Sequence, residues 1–126
     1  MREHNEALLQ DFLDSYNRHS VDDVMSFFTD DAVFESPTGT GPNGRRFVGK
    51  EQIRAAVAER FLNSPDVHWE PEQHLVVGNR GASAWLVSWT SLDGQVTRIR
   101  GCDLFELRDG MIAKKDSFFK ILVSAS

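Results

Sequence analysis

The chain has 126 residues and a formal net charge of −5, because 19 Asp and Glu oppose 14 Lys and Arg. That length predicts a single domain over residues 1–126, and the acidic balance argues against binding to a nucleic-acid backbone. The one cysteine, Cys102, excludes an internal disulfide framework and a cysteine zinc site. No apolar run approaches the roughly 20 residues that span a bilayer, and acidic residues stand where a signal peptide needs an apolar block. We therefore expect a soluble, cytoplasmic protein that does not bind membranes.

The first third of the chain has the spacing of helices. Apolar residues at a helical period predict a first helix over residues 3–18. A second, short helix is expected after Ser20, which can cap it with Asp23 as the capping partner, and Asp30 and Asp31 are expected to end it. The next segments are a short strand, a loop rich in proline and glycine, and a third helix, predicted at residues 32–36, 37–46 and 50–62, respectively.

From residue 66 onward the apolar period changes to two, which indicates β-strands. The pairs Asp93-Gly94 and Asp109-Gly110 are strong hairpin signals, because tight turns need a positive φ. Four antiparallel strands are therefore predicted, at residues 67–77, 82–91, 96–107 and 112–122.

The element order α-α-β-α-β-β-β-β predicts an α+β domain, with helices on one face of a curved, mainly antiparallel sheet. Both faces of such a sheet need cover. Trp85, Val87 and Trp89 are expected on the face without helices. That apolar face would be covered by a second copy of the chain, so we expect a homodimer formed through the outer face of the sheet.

Asp103 is the main candidate for a functional side chain. Strand alternation places it in one row with Ile99, Gly101, Phe105 and Leu107, where it is the single charge. A carboxyl group on an apolar face must be protonated or paired. Lys115 of the next strand can pair with it if the row of Phe119 faces inward. Such a pair polarises a ligand carbonyl in a dry pocket and is a structural ion pair elsewhere, and both interpretations stay open.

His68 is a further candidate acid or base. Together with Glu70, Glu72 and His74 it supplies metal-ligand residue types at alternate positions. Pro71 interrupts this stretch, however, and neither histidine belongs to an HxxxH or HExxH pattern. We therefore expect neither a metal nor a cofactor.

Three segments carry a family resemblance: residues 27–37 (FFTDDAVFESP), 47–53 (FVGKEQI) and 100–112 (RGCDLFELRDGMI). Through them nearly the whole chain resembles the NTF2-like superfamily, which includes SnoaL-like polyketide cyclases, ketosteroid isomerases and limonene epoxide hydrolases. The resemblance implies a cone, in which three N-terminal helices close a strongly bent sheet around a deep apolar pocket. It also implies a homodimer.

The resemblance transfers only some of the isomerase residues. Asp103 matches the position of the protonated aspartic acid that donates a hydrogen bond to the substrate oxyanion. The aspartate that abstracts the proton in the isomerases falls on Ser36, and an unactivated hydroxyl is not a base at neutral pH. The phenol of the oxyanion site falls on Phe12, and Tyr16, one helical turn later, is a candidate substitute.

The sequence therefore predicts a pocket for a small apolar molecule that bears a carbonyl group. Two functions stay open. The first is a cofactor-independent isomerase, cyclase or dehydratase that uses Asp103 as acid, base or hydrogen-bond donor, with His68 and Lys115 as further candidates. The second is a ligand-binding or dimeric interaction domain without chemistry. The expected pocket lining is Phe12, Tyr16, Phe34, Ser36, Leu86, Phe105 and Phe119.

Overall fold

The computed structural model describes residues 1–123, in which three helices and six strands form. In chain order these elements are α1 (Glu6–Asn17), α2 (Val21–Met25), β1 (Phe28–Glu35), β2 (Arg46–Val48), α3 (Lys50–Asn63), β3 (His68–Val77), β4 (Arg80–Thr90), β5 (Val96–Arg108) and β6 (Met111–Phe119).

The six strands form one curled sheet in the order β2-β1-β6-β5-β4-β3. β1 runs parallel to β6, and every other pair of neighbours is antiparallel. The helices pack on the concave face, and the core lies between them and the sheet. The predicted α+β class and the cone implied by the resemblance are confirmed.

The helix starts follow from capping side chains. Asn5 accepts a hydrogen bond from the backbone N–H of Leu8 at the start of α1. Ser20 accepts one from the N–H of Asp23 at the start of α2, as its spacing predicts. Each cap satisfies one of the amide groups that a helix leaves free at its first turn. α1 then places Phe12 at the centre of an aromatic cluster with edge-to-face neighbours on α1, β1 and β5.

The prediction for the segment after α2 is wrong in two respects. β1 begins at Phe28 rather than at residue 32, so Asp30 and Asp31 lie within the strand. The cause is long-range: Phe28 pairs in parallel with Ile112 of β6, and the register shifts before Val33. β2 was also not predicted. Its three residues are too few to show a period, and they form a strand because they pair with β1.

The turn signals of the second half are confirmed. Asp109 and Gly110 both have positive φ, 52° and 75°, in the two-residue turn between β5 and β6. Gly94 has φ 85° in the loop between β4 and β5, which the Ser91 N–H closes by donating to the Gln95 carbonyl. β4 begins at Arg80, so only Gly78 and Asn79 separate it from β3.

The predicted faces of β4 are reversed. Trp85 pairs with Gly101 and Val87 pairs with Ile99, and paired residues lie on the same face of a sheet. Trp85, Val87 and Trp89 therefore lie on the concave face with Asp103, not on the outer one. On the outer face Leu104 and Phe118 are 49% and 47% exposed. The homodimer through that face stays a prediction.

Candidate functional site

A cavity of about 450 Å³ lies between the concave face of the sheet, α1 and α3. α1 contributes Tyr16 to its wall, and β3 contributes Trp69. Most of the lining is aromatic or apolar, and the remainder includes three cationic side chains and one carboxylate among the described residues. The full lining is Tyr16, Phe34, Ser36, Pro37, Thr38, Gly39, Arg45, Phe47, Ala56, Val57, Glu59, Arg60, Asn63, Trp69, Trp85, Val87, Trp89, Lys115, Ser117 and Phe119.

One wall of the cavity is the loop between β1 and β2. The Ser36 N–H donates to the Arg45 carbonyl over 2.9 Å, and the Arg45 N–H donates to the Thr38 carbonyl over 2.8 Å. Gly44, with φ 66°, lies so close to Ser36 that a side chain there would collide with its carbonyl. The loop is thus folded back on itself by its own backbone and places Pro37 and Gly39 against the cavity.

The polar part of the cavity is a short chain of hydrogen bonds on β4, β5 and β6. Lys115 Nζ donates to Ser117 Oγ over 3.0 Å, and Ser117 Oγ donates to Asp103 Oδ1 over 2.5 Å. Trp85 Nε1 donates to Asp103 Oδ2 over 3.0 Å. Lys115 Nζ also lies 3.7 Å from Asp103 Oδ1, so the cross-strand ion pair considered from the sequence is present.

Asp103 is one layer beneath the cavity surface. Lys115, Ser117 and Trp85 all line the cavity, whereas Asp103 supports the three of them from behind. Both of its carboxylate oxygens accept hydrogen bonds. The carboxyl group is therefore paired, with Lys115 as its cationic neighbour.

The Lys115 ammonium is enclosed by aromatic rings. Its nitrogen lies 4.4 Å from the ring centre of Phe34 and 5.0 Å from that of Tyr16, and the lysine side chain is only 9% exposed. Burial by itself opposes the charge, but the carboxylate of Asp103 outweighs it and raises the pKa of Lys115. Lys115 is thus a cation held in an apolar setting, facing the cavity.

Tyr16 supplies a hydroxyl next to this cation. Burial raises the pKa of its phenol, and Asp103 adds to the effect, whereas Lys115 and Arg60 oppose it. A raised pKa keeps the phenol protonated at neutral pH, so that it can donate a hydrogen bond. Tyr16 and Lys115 together present two donors to one region of the cavity.

The structure brings together half of the residues predicted from the sequence. Tyr16, Phe34, Ser36, Phe119 and Lys115 line the cavity. Phe12 and Phe105 lie deeper, in edge-to-face contact with each other at 5.8 Å, and belong to the core.

Two predicted residues lie elsewhere. Leu86 follows Trp85 on β4 and so points to the outer face, and its predicted place in the lining is corrected. The His68 side chain is 53% exposed and lies 3.5 Å from Glu70, outside the cavity. Within residues 1–123, no three His, Cys, Asp or Glu side chains converge as metal ligands.

The sequence analysis missed the tryptophans and Arg60. The register depends on the length of the loop: Leu92, Asp93 and Gly94 separate the closing residues Ser91 and Gln95, so odd-numbered residues of β4 pair with odd-numbered residues of β5. Asp103 on the inner row therefore implies Trp85, Val87 and Trp89 on the same row. A two-residue turn on Asp93-Gly94 alone would pair odd with even numbers. Arg60 carried no comparable signal, since its position depends on how α3 packs across the sheet.

None of the helices described for residues 1–123 is long and apolar enough to cross a lipid bilayer.

A family model described as the SnoaL-like domain matches residues 9–115. The match extends from α1 to Lys115 and so includes most of the cavity. No curated protein matches the chain.

Solved structures share the fold at low sequence identity. TerC, co-crystallized with polyporic acid, has a TM-score of 0.81 and 18% identity, with 94% of this chain and 92% of that chain covered. A putative polyketide cyclase from Xanthomonas campestris has a TM-score of 0.70 and 20% identity, covering 90% of this chain and 88% of that one. A Catenulispora acidiphila protein with a ketosteroid isomerase-like fold, in complex with trimethylamine, has a TM-score of 0.80 and 12% identity, covering 90% and 85%.

Proposed function

The chain belongs to the SnoaL-like domain family, and from this membership and its cavity we propose that it binds a small apolar molecule bearing a carbonyl group. The cavity volume of about 450 Å³ is within the range of small-molecule sites, and such sites combine apolar walls with a few oriented polar groups. Two proteins of the same fold are described with small organic molecules, TerC with polyporic acid and the Catenulispora protein with trimethylamine.

The observation that carries the proposal is the Lys115 ammonium. Asp103 and Ser117 hold it from one side, and the rings of Tyr16 and Phe34 enclose it. A carbonyl oxygen that reaches it receives a charge-assisted hydrogen bond in a setting with little water, where such bonds are strong. In this arrangement Lys115 and Tyr16 contact the ligand, and Asp103 is a positioning residue that keeps the ammonium charged and in place.

The catalytic form of the proposal is a cofactor-independent isomerisation or cyclisation through an enolate. A proton leaves the carbon next to the carbonyl, the electron pair of that C–H bond forms the C=C bond, and the carbonyl oxygen becomes an oxyanion. Lys115 and Tyr16 stabilise this oxyanion as donors already in position. Glu59 supplies the one carboxylate among the described lining residues and is exposed on α3, so it is the candidate to take the proton. Return of that proton to another carbon of the enolate completes an isomerisation.

The second candidate is ligand binding without chemistry, and Ser36 favours it. Ser36 lines the cavity and, by the resemblance, stands where the isomerases have their base. Proton exchange separates the two candidates without knowledge of the natural substrate. If the protein enolises 2-acetylnaphthalene in D₂O, deuterium enters the acetyl methyl group, which NMR detects. Binding without exchange above the rate in buffer would leave only the second candidate.

Binding itself is tested with 2-acetylnaphthalene by calorimetry. We expect Lys115→Met to weaken binding about tenfold, the usual value of a hydrogen bond to a charged group. Lys120→Met is the matched control, because Lys120 is exposed beyond the end of β6 and outside the cavity lining. Near-UV circular dichroism checks that both variants fold. Equal affinities in the wild type and the Lys115 variant would refute the role of the ammonium.

A further inference from the structure

Arg60 is a partly buried cation of the cavity lining. It projects from α3 at the edge of the cavity, where its guanidinium carbon lies 4.7 Å from the ring centre of Trp89 and 5.9 Å from that of Trp69. Its side chain donates to Ser64 Oγ over 2.9 Å. Among residues 1–123, no carboxylate lies within ion-pair distance of it.

Five more exposed arginines of the same chain have carboxylate partners, although their side chains are more than half exposed: Arg18, Arg54, Arg80, Arg100 and Arg108. The other arginines without such a partner among residues 1–123 are all exposed to solvent: Arg2, Arg45, Arg46 and Arg98. Arg60 loses more hydration than these, and burial lowers its pKa, although a guanidinium stays charged at neutral pH. A buried charge is costly unless it is paired, so the absence of a carboxylate partner among residues 1–123 points to an external anion.

The charge of the cavity has the opposite sign to that of the protein. The whole chain carries −5, whereas the cavity lining contains Arg45, Arg60 and Lys115 against the single carboxylate of Glu59. Asp103 offsets Lys115 from beneath. The cationic excess is therefore at the rim, on the guanidinium groups.

We propose that the ligand is an organic anion, a flat conjugated molecule whose carboxylate or acidic enol binds Arg60. This inference rests on the proposed function, because the same molecule places its carbonyl oxygen at Lys115. The planar guanidinium offers parallel donors that match a carboxylate. Contact with the rings of Trp69 and Trp89 orients that plane and leaves the remaining N–H groups available to the ligand.

The test compares two probes that differ by one carboxylate group, 6-acetyl-2-naphthoate and 2-acetylnaphthalene. In the wild-type protein we expect the carboxylate probe to bind about tenfold more tightly at low salt. Arg60→Gln removes this preference. Arg60→Lys retains part of it, because an ammonium keeps the positive charge but lacks the parallel N–H donors of a guanidinium. Arg54→Gln is the control, since Arg54 lies on the same helix, binds Asp22 and is outside the cavity lining; it keeps the full preference.

The outcomes separate this inference from the proposed function. If both probes bind the wild type with equal affinity, the anion site is overturned and the carbonyl site stands. The anion site is also overturned if the Arg54 variant loses the preference as fully as the Arg60 variant does, because the effect would then come from overall charge. If neither probe binds, the proposed function fails, and this inference fails with it.

Discussion

Two neighbouring lysines on β6 face opposite sides of the sheet, and each forms an ion pair with a buried carboxylate. On the outer face, Lys114 Nζ lies 2.9 Å from Glu35 Oε1, with the two side chains 34% and 5% exposed. On the concave face, Lys115 Nζ lies 3.7 Å from Asp103 Oδ1, and the two side chains are 9% and 6% exposed. The shorter pair is not the one at the cavity.

The difference shows that the surroundings of an ion pair, more than its length, indicate a site. Lys114 reaches solvent, so its pair with Glu35 is a structural link between β1 and β6. Lys115 has aromatic rings around it and a cavity in front of it, and its carboxylate is fixed by Trp85 and Ser117. Such a cation retains the capacity to bind a ligand oxygen.

The largest expected effect on stability comes from removing the carboxylate of each ion pair in turn. Asp103→Ala leaves the Lys115 ammonium buried without its counter-ion, so we expect a loss of about 3 kcal/mol in the free energy of unfolding. Glu35→Ala leaves Lys114 partly in water, so we expect about 1 kcal/mol. Urea denaturation of both variants measures the difference. Equal losses would show that the inner pair is no more desolvated than the outer one.

A second prediction concerns the fixation of Trp85. A Cβ atom on Gly101 would collide with the Phe118 carbonyl oxygen and would lie 2.6 Å and 2.7 Å from carbons of the Trp85 indole, so only glycine fits beside the ring that donates to Asp103. We expect Gly101→Ala to cost about 2 kcal/mol through overpacking and to shift the tryptophan fluorescence.

Gly41→Ala is the control for this substitution. Its Cβ atom would meet nothing within 4 Å, and Gly41 does not have a positive φ. We expect its stability to stay within about 0.5 kcal/mol of the wild type. Should Gly101→Ala prove equally neutral, neither the indole nor the Phe118 carbonyl would need the space that the missing side chain leaves.

Most helices and strands could be predicted from the sequence, because caps, turns and apolar periods are local signals. Ser20 caps α2 through its own turn, and Asp109-Gly110 forms a tight turn through its own φ angles. The early start of β1 and the existence of β2 escaped prediction because both depend on pairing across the chain. Local periodicity contains no information on such partners.

The candidate site was likewise predictable only where local strand alternation determines it. Alternation along one strand places Asp103 inward, and the Lys115 pair follows from the next strand. The supporting role of Asp103, however, is a consequence of three-dimensional packing: Trp85 and Ser117 fill the space through which its carboxylate would otherwise face the cavity. Leu86 was assigned to the wrong face because the loop after β4 has three residues rather than the two of a tight Asp-Gly turn, which shifts the register by one and pairs Leu86 with Arg100 on the outer face.

The smallest predicted effect extends the comparison to two histidines of β3. His68 is on the outer side and exposed, whereas His74 lies beneath α1, between Ser83 Oγ and Gln10 Oε1, each at 2.8 Å. Since an amide oxygen only accepts, Nε2 of His74 donates to Gln10, and the Ser83 hydroxyl donates to Nδ1. Burial lowers the pKa of His74 below its usual 6.5, with Glu6 and Asp14 opposing the shift.

The sign of the pH effect follows from this lowered pKa. As the pH falls below 6.5, the unfolded chain takes up a proton at residue 74 before the folded protein does, so the free energy of unfolding decreases through the window down to the folded pKa. His74→Gln is expected to reduce this slope between pH 7 and pH 5 by more than the comparison variant His68→Gln does, because the His68 side chain is 53% exposed. Urea denaturation at several pH values measures both. An unchanged slope in the His74 variant would mean that the imidazole can be protonated in place, with Ser83 turning its hydroxyl to accept.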